Sequence, residues 1–242
     1  MKILVLSDIH SNHAALQSVL EDSEGEWEMI WCLGDLVGYG PDPDECIDTI
    51  RDHDHIALSG NHDWAVLDRL DIRSFNSDAM AAIRWTQSSL SDINMAYLAS
   101  LPSKTVEGPF TLAHASPRRP VWEYVLDTRT AASNFSEFNT LYCFVGHTHV
   151  PMVFEQDEDR NVDWSGPLYG HKIELGSTRL IINPGSVGQP RDYDPRSAYG
   201  LLDLEDLTWE FRRIPYDVEL TQGRMSEIGL PSRLISRLNQ GA

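Results

Sequence analysis

The sequence predicts an α/β fold in which a buried sheet is followed by a second, more antiparallel sheet. Short β-rich apolar runs alternate with helical patterns through the first 150 of the 242 residues, as is typical of βαβ units. Beyond Pro151 the pattern changes to strands and turns, which favours antiparallel pairing. No linker, repeat or low-complexity tract divides the chain, so we expect one domain over residues 1–242.

The first elements are marked by apolar runs and helix caps. Ile3–Leu6 is the first predicted strand. Apolar residues then recur at helical spacing after Ser11 or Asn12, either of which can cap the helix. Met29–Leu33 is the second predicted strand. A further helix is predicted to begin at Asp42, which can cap it. A first-turn proline and a capping-box acid follow Asp42.

Helices and strands alternate in the rest of the chain. A strand is predicted at Ile56–Leu58, and one or two helices between about 77 and 101, with Ser91 as an internal cap and Pro102 as the stop. Further strands are predicted at Phe110–Ala113, Tyr142–Val145, Leu180–Ile182, Ala198–Leu204 and Thr208–Ile214, and a helical C-terminal region from Asp217 with a break at Gly229 and Pro231.

Charge and composition argue against several classes of function. The chain has 37 acidic and 19 basic residues, a formal charge of −18 that repels polyanions, so we expect no stable nucleic-acid binding. No apolar run is long enough to span a membrane, and the first run, Ile3–Leu6, is shorter than a signal-peptide core. The three widely spaced cysteines lie in apolar segments and indicate buried thiols in a reducing compartment. These observations predict a cytoplasmic protein and leave its oligomeric state open.

Potential metal ligands follow successive predicted strands, at the ends where open α/β sheets place their ligand sites. Each alone has an ordinary structural explanation, such as a cap, a turn residue or a core histidine. Five strand ends that all carry N and O donors indicate a site instead. The residues are Asp8 and His10 after the first strand, Asp35 after the second, Asn61, His62 and Asp63 after the third, His114 after the fourth, and His147 and His149 after the fifth.

This donor set suits two divalent cations. A carboxylate, for which Asp35 is the candidate, can hold two cations about 3.5–4 Å apart because it is anionic and has two oxygens with lone pairs. Neutral imidazoles and an amide oxygen fill the other positions and leave the metals acidic enough to ionise a bridging water near neutral pH. The set accepts manganese, iron, zinc, cobalt or nickel, and we expect manganese to serve in vitro.

The blocks Asp8-x-His10, Gly34-Asp35, Gly60-Asn61-His62-Asp63, His114 and Gly146-His147-Thr148-His149 resemble, in order and spacing, the motifs of the calcineurin-like metallophosphoesterases. The resemblance implies a four-layer α/β/β/α sandwich and hydrolysis of a phosphate ester or anhydride in a phosphorylated small molecule or nucleotide. It implies one metal held by Asp8, His10, Asp35 and His149, and a second held by Asp35, Asn61, His114 and His147. By the same resemblance, His62 protonates the leaving group and Asp63 orients its ring.

The segment Gly34–Gly40 departs from the Gly-Asp-x-x-Asp-Arg-Gly pattern of the protein phosphatases and lacks their arginine. The segment Asn183–Arg191 is instead similar to small bacterial and archaeal phosphodiesterases, some of them similar to diadenosine tetraphosphatases. Arg118, Arg119 and Arg191 are therefore the candidate phosphate-binding residues, because a guanidinium fork suits phosphate oxygens. Aromatic residues that could stack on a base or aryl group are Tyr39, Trp64 and Trp122, although packing is the more common role of such side chains.

Two other functions remain open from the sequence. The first is a phosphoprotein phosphatase, against which the missing arginine and the acidic surface count. The second is a non-catalytic scaffold that uses the same fold to bind protein, since a fold does not determine a function. Loss of the ligands or of His62 would favour a scaffold, and all of these positions are filled.

Overall fold

Twelve strands form the framework of the computed structural model, which describes residues 1–242. They are β1 (Lys2–Leu6), β2 (Met29–Cys32), β3 (His55–Ala57), β4 (Lys104–Glu107), β5 (Phe110–Ala113), β6 (Tyr142–Phe144), β7 (Met152–Gln156), β8 (Val162–Ser165), β9 (Lys172–Glu174), β10 (Arg179–Asn183), β11 (Ser197–Asp203) and β12 (Thr208–Ile214). These strands build two mixed sheets of six strands each, in the orders β3-β2-β1-β11-β12-β9 and β4-β5-β6-β10-β7-β8.

Eight α-helices and one short 3₁₀ turn, Ile72–Ser74, connect the strands. The helices are α1 (His13–Asp22), α2 (Pro43–Arg51), α3 (Asn61–Val66), α4 (Ser77–Ser89), α5 (Asp92–Ser100), α6 (Thr128–Asn134), α7 (Val218–Glu227) and α8 (Ser232–Arg237). None of them is both long and apolar enough to cross a bilayer.

The sheets pack face to face because strand residues alternate between two apolar environments. In β1, Leu4 and Leu6 pack among the helices on the outer face, whereas Ile3 and Val5 contact the side chains of the other sheet. Helix α6 covers the outer face of the second sheet through Ala131 and through Phe135, the residue that follows the helix. The layers are therefore helix, sheet, sheet and helix, which confirms the predicted α/β/β/α sandwich.

The strands are not divided between the sheets in the way that the sequence suggests. We expected the segments beyond Pro151 to form a separate antiparallel sheet, but β11 pairs antiparallel with β1 and completes the first sheet. Conversely, β5 and β6 lie in the second sheet, where β6 is parallel to β10. Pairing depends on contacts between distant segments, so the periodicity of one strand does not reveal its partner.

Several local predictions are confirmed. Asn12 accepts a hydrogen bond from the amide of Ala15, and the region 77–101 forms two helices, the second capped by Ser91. Asp42 precedes α2 but its carboxylate does not cap the helix, because it forms an ion pair with Arg224 instead. The cysteines are buried free thiols, as expected. Strands β4, β7, β8 and β9 and helices α3 and α6 were not predicted individually.

Candidate metal centre

The predicted ligands converge at one edge of the sandwich, and they come from both sheets. Strands β1, β2 and β3 of the first sheet precede Asp8, His10, Asp35 and Asn61, and strands β5 and β6 of the second precede His114, His147 and His149. The donor atoms form two groups, Asp8–His10–His149 and Asp35–His114–His147. Within each group, one donor atom from each residue lies within 4.8 Å of the others. Asn61 joins the second group, with Oδ1 3.2 Å from Nε2 of His114.

Most of these residues have a left-handed backbone. Positive φ angles of 50–64° occur at Asp8, His10, Asp35, His147 and His149. In an extended chain Asp8 and His10, two residues apart, would share one face. The chain is instead left-handed here, and it places Nε2 of His10 3.9 Å from Oδ1 of Asp8. Such conformations are strained in residues with a Cβ, and they occur where the surroundings hold them for function.

Two glycines let the second and third loops approach closely. Gly34 has a φ of +105°, and a Cβ there would lie 2.8 Å from Nδ1 of His114. A Cβ on Gly60 would lie 2.1 Å from Oδ1 of Asp35. Both positions therefore require glycine, the first for its backbone and the second for space.

Three histidines are oriented by main-chain carbonyl groups. Nδ1 of His10 donates to the carbonyl of Val37 at 3.1 Å, and Nδ1 of His114 donates to that of Leu33 at 3.0 Å. His149 makes the same kind of contact to Gln189 at 2.5 Å. Each contact favours the tautomer that carries the proton on Nδ1, so that Nε2 keeps a lone pair for a metal.

Several buried polar atoms in the cluster have no hydrogen-bond partner within the protein. They are Oδ1 of Asp8, Oδ2 of Asp35 and Nε2 of His147. In the two carboxylates the other oxygen is used: Oδ2 of Asp8 accepts from the Ser7 hydroxyl and the His147 amide, and Oδ1 of Asp35 accepts from the His62 amide. Unpaired buried polar atoms are costly. These unpaired oxygen and nitrogen atoms lie in one cluster, where they can serve as ligands for divalent cations.

Oδ2 of Asp35 lies between the two ligand groups. It is 3.6 Å from Nε2 of His10 and 3.5 Å from Nε2 of His114. From the sequence, we expect both oxygens of this carboxylate to be available. Oδ1 accepts a hydrogen bond from a backbone amide, whereas Oδ2 has no hydrogen-bond partner, so Oδ2 is the oxygen more available to the cations.

Burial controls the charges of the cluster. Burial lowers the pKa of His10 well below its usual range, and it does the same for His147, which keeps both rings neutral. Burial and the charges of Asp63 and Asp8 raise the pKa of Asp35. A cation beside Oδ2 would reverse this effect, because it favours the ionised carboxylate.

His62 lines the cavity beside the ligands. Its Nδ1 is buried without a hydrogen bond and packs over Gly38, where a Cβ would lie 2.5 Å from it. Nε2 is therefore the nitrogen that can face the cavity. The expected contact of Asp63 with this ring is not present, because the Asp63 carboxylate accepts hydrogen bonds from the amides of Val37 and Gly60 at 3.1 and 2.8 Å.

The three candidate arginines occupy different places. Arg191 lines the cavity, and its charge contributes to lowering the pKa values of His62 and His149 after the larger effect of burial. Arg118 pairs with Glu123, and the exposed Arg119 makes no ion pair. Neither of the latter two lines the cavity, so Arg191 is the one of the three candidates that lies beside the ligands.

The cavity has a volume of about 250 Å³ and one aromatic wall. Tyr39 and Trp122 lie in this wall, but Trp64 does not. Phe75 and Tyr124, which the sequence does not predict, also line the cavity. The Tyr124 ring stacks on His147 with centroids 4.2 Å apart. Nothing in the local sequence distinguishes these two from packing residues.

The loop after β10 supports the cluster from behind. Nδ2 of Asn183 donates to the carbonyl of Gly146 at 2.8 Å, and the Ser186 hydroxyl donates to the carbonyl of Asp8 at 2.8 Å. This segment, Asn183–Arg191, is the one that resembles the small phosphodiesterases. Its contacts show why it accompanies the ligand motifs: it holds two ligand loops in place.

Comparison with known proteins places this geometry in a family. Residues 1–207 match the calcineurin-like phosphoesterase superfamily domain. A crystal structure of a metallophosphoesterase from Sphaerobacter thermophilus is similar with a TM-score of 0.92 and 44% identity, covering 100% of this chain and 99% of that chain. The uncharacterized protein MJ0912 of Methanocaldococcus jannaschii is 37% identical over 99% of this chain and 98% of its own length. Hypothetical protein PH1004 from Pyrococcus horikoshii OT3 shares the fold, with a TM-score of 0.81, 22% identity and coverage of 100% and 98%. The chain therefore belongs to the calcineurin-like phosphoesterase superfamily, a metal-dependent family of hydrolases.

Proposed function

We propose that this protein is a phosphoesterase that uses two divalent metals to hydrolyse a phosphate ester or anhydride, of the phosphodiesterase or nucleotide pyrophosphatase type. The observation that carries the proposal is the set of buried donor atoms, free of protein partners, beside an open cavity that also contains His62 and Arg191. A site built only for stability would pair these atoms within the protein.

The ligand loops divide the donors into two sets that share Asp35. Asp8, His10 and His149 would hold one cation, and Asn61, His114 and His147 the other. When bound, the metals would supply Lewis acidity, which withdraws charge from phosphoryl oxygens and lowers the pKa of water. Manganese, iron, zinc, cobalt and nickel all suit these ligands.

His62 and Arg191 would act on opposite parts of the substrate. Arg191 can donate to the non-bridging phosphoryl oxygens, whose charge it meets with fixed donors. His62 would donate its Nε2 proton to the leaving oxygen. Burial and then Arg191 lower the pKa of His62, but a phosphoryl group beside the ring would favour its protonated form.

A panel of substrates tests the proposal. The purified protein would be assayed with each of the five metals against an aryl phosphodiester, an aryl phosphomonoester, a dinucleoside polyphosphate and a phosphopeptide, with metal content measured in parallel. We expect turnover of the diester or the polyphosphate, and none by Asp35→Asn. Preference for the phosphopeptide would identify a phosphoprotein phosphatase. Bound metal without turnover of any substrate would contradict the proposal and favour a scaffold.

A further inference from the structure

A second cavity of about 480 Å³ adjoins the cavity beside the metal ligands, which we call the metal-facing cavity. Tyr39, Asn76, Tyr124 and Arg191 line both cavities, so the two form one continuous depression. The second cavity extends to helix α8, and half of its lining residues lie beyond residues 1–207, which the family domain matches. The part of the cavity formed by α8 and the residues after it therefore belongs to the C-terminal region of this chain.

Two arginines of α8 point into this second cavity. Arg233 and Arg237 are four residues apart, so they lie on the same face of the helix, and both line the cavity. The helix is held in place by Leu234 and Leu238, which are buried in a cluster with Tyr39. The two guanidinium groups are thus carried by an element that is packed against the wall of the metal-facing cavity.

No aspartate or glutamate side chain pairs with the arginines of this cavity. Arg191, Arg233 and Arg237 form no ion pair, although the chain has 37 acidic residues to offer. Asp78 is the one acidic residue in the lining. The side chain of Arg233 makes no hydrogen bond within the protein. Arg237 donates only from Nε, to a main-chain oxygen of the last residue, Ala242, which also lines the cavity. Burial, followed by the charge of Arg191, lowers the pKa of Arg237.

Three like charges that face one cavity repel each other, and an anion placed among them would remove this repulsion. Such a concentration of positive charge is unusual in a chain of net charge −18. Guanidinium groups bind carboxylate and phosphate oxygens through two parallel hydrogen bonds. Phosphate is the anion that fits here, because this cavity is continuous with the one beside the metal ligands.

We propose that Arg233 and Arg237 bind a second phosphate group of the substrate, one or more linkages from the phosphate at the metal ligands. The preferred substrates are then polyphosphorylated compounds, with Arg191 between the two sites. This inference rests on the proposed function and selects among its substrates. It predicts weaker use of esters that carry a single phosphate.

The first test compares two substrates in one double variant. Arg233→Ala/Arg237→Ala should lower the ratio of kcat/KM for a dinucleoside tetraphosphate to kcat/KM for an aryl phosphodiester at least tenfold. The matched control, Arg84→Ala/Arg129→Ala, removes the same charge from exposed arginines outside the cavity and should leave the ratio unchanged. An unchanged ratio in the α8 variant would overturn the inference.

A binding measurement separates this inference from the proposed function. Calorimetry with inorganic tripolyphosphate on protein freed of metal by a chelator should show at least tenfold weaker binding to the α8 variant than to the wild type. Equal affinity would overturn the second phosphate site, even if the wild type hydrolyses an aryl diester. Weaker binding by the variant together with no turnover of any substrate would retain the site and reject the hydrolase.

Discussion

At the scale of single residues, the metal centre is held in a high-energy arrangement. The carboxylates of Asp8 and Asp35 are buried, each with one oxygen that has no hydrogen-bond partner in the protein. Their backbones and those of three histidine ligands are left-handed. Strain of about 1–3 kcal/mol at each such residue persists only where neighbouring contacts enforce it. Here the carbonyl contacts to the histidine rings and the loop after β10 supply those contacts.

Replacement of His62 separates metal binding from proton transfer. His62→Ala should retain both metals and lose about 10²–10⁴-fold in kcat, the usual contribution of a positioned general acid. The loss should be greatest for poor leaving groups, because these depend most on protonation. Metal analysis beside a series of aryl phosphodiesters checks this. Loss of one ion in the variant would instead identify His62 as a ligand, since its ring lies near His10 and Asp35.

Arg191 is the arginine that we expect to affect turnover most. Arg191→Ala should lower kcat/KM about tenfold or more with metal content unchanged, because it removes a charge-assisted hydrogen bond of about 1.5–3 kcal/mol. Arg119→Ala serves as the matched control, since Arg119 lies outside the cavity, and should remain near the wild type. A tenfold loss in Arg119→Ala with none in Arg191→Ala would mean that the loop after His114 moves into the site.

The sequence was most informative about ligand identity and least about contacts within the site. Asp35 and His114 could be identified because donors follow successive buried strands, a pattern that survives without knowledge of strand order. The contact expected between Asp63 and the His62 ring is absent, because backbone amides occupy the Asp63 carboxylate, and strand order does not reveal such competition. Tyr124 was missed for a related reason: its partner, His147, is distant in the chain.

At the scale of elements, the β11–β12 hairpin shows what periodicity leaves undetermined. Its strands were predicted almost to their observed ends, but their place beside β1 was not. The Trp209 ring of β12 packs over Gly200 of β11, where a Cβ would lie 2.1 Å from it. This contact helps to specify the pairing, yet a glycine in a strand predicts only a close approach and not what approaches it.

Two glycine substitutions should have opposite effects on stability. Gly200→Ala overpacks a buried aromatic side chain and should lower the free energy of unfolding by about 1–3 kcal/mol. Gly223 lies inside helix α7 with open space around it. Gly223→Ala should therefore raise the free energy of unfolding by about 0.5–1 kcal/mol. Urea unfolding of both variants measures the difference. A stabilised Gly200→Ala would show that Trp209 can move without loss.

At the scale of the whole molecule, the metal centre joins the two halves of the sandwich. Asp8, Asp35 and Asn61 follow strands of the first sheet, and His114 and His147 follow strands of the second. Each proposed ligand set therefore draws on both sheets. Folding brings the donors together at a cost in buried, unpaired polar atoms, and metal binding offsets that cost.

Removal of metal should therefore destabilise the entire fold. A ligand at a hundred times its Kd stabilises the folded state by about 2.7 kcal/mol, provided that it does not bind the unfolded chain. For a chain of this size, this corresponds to a fall in Tm of about 5–10 °C on chelation, restored by adding manganese. Asp35→Asn is the control, because it removes the bridging charge and should abolish the dependence of Tm on metal. If chelation leaves the wild-type Tm unchanged while metal analysis confirms that the ions have left, the two sheets are held by their apolar interface alone.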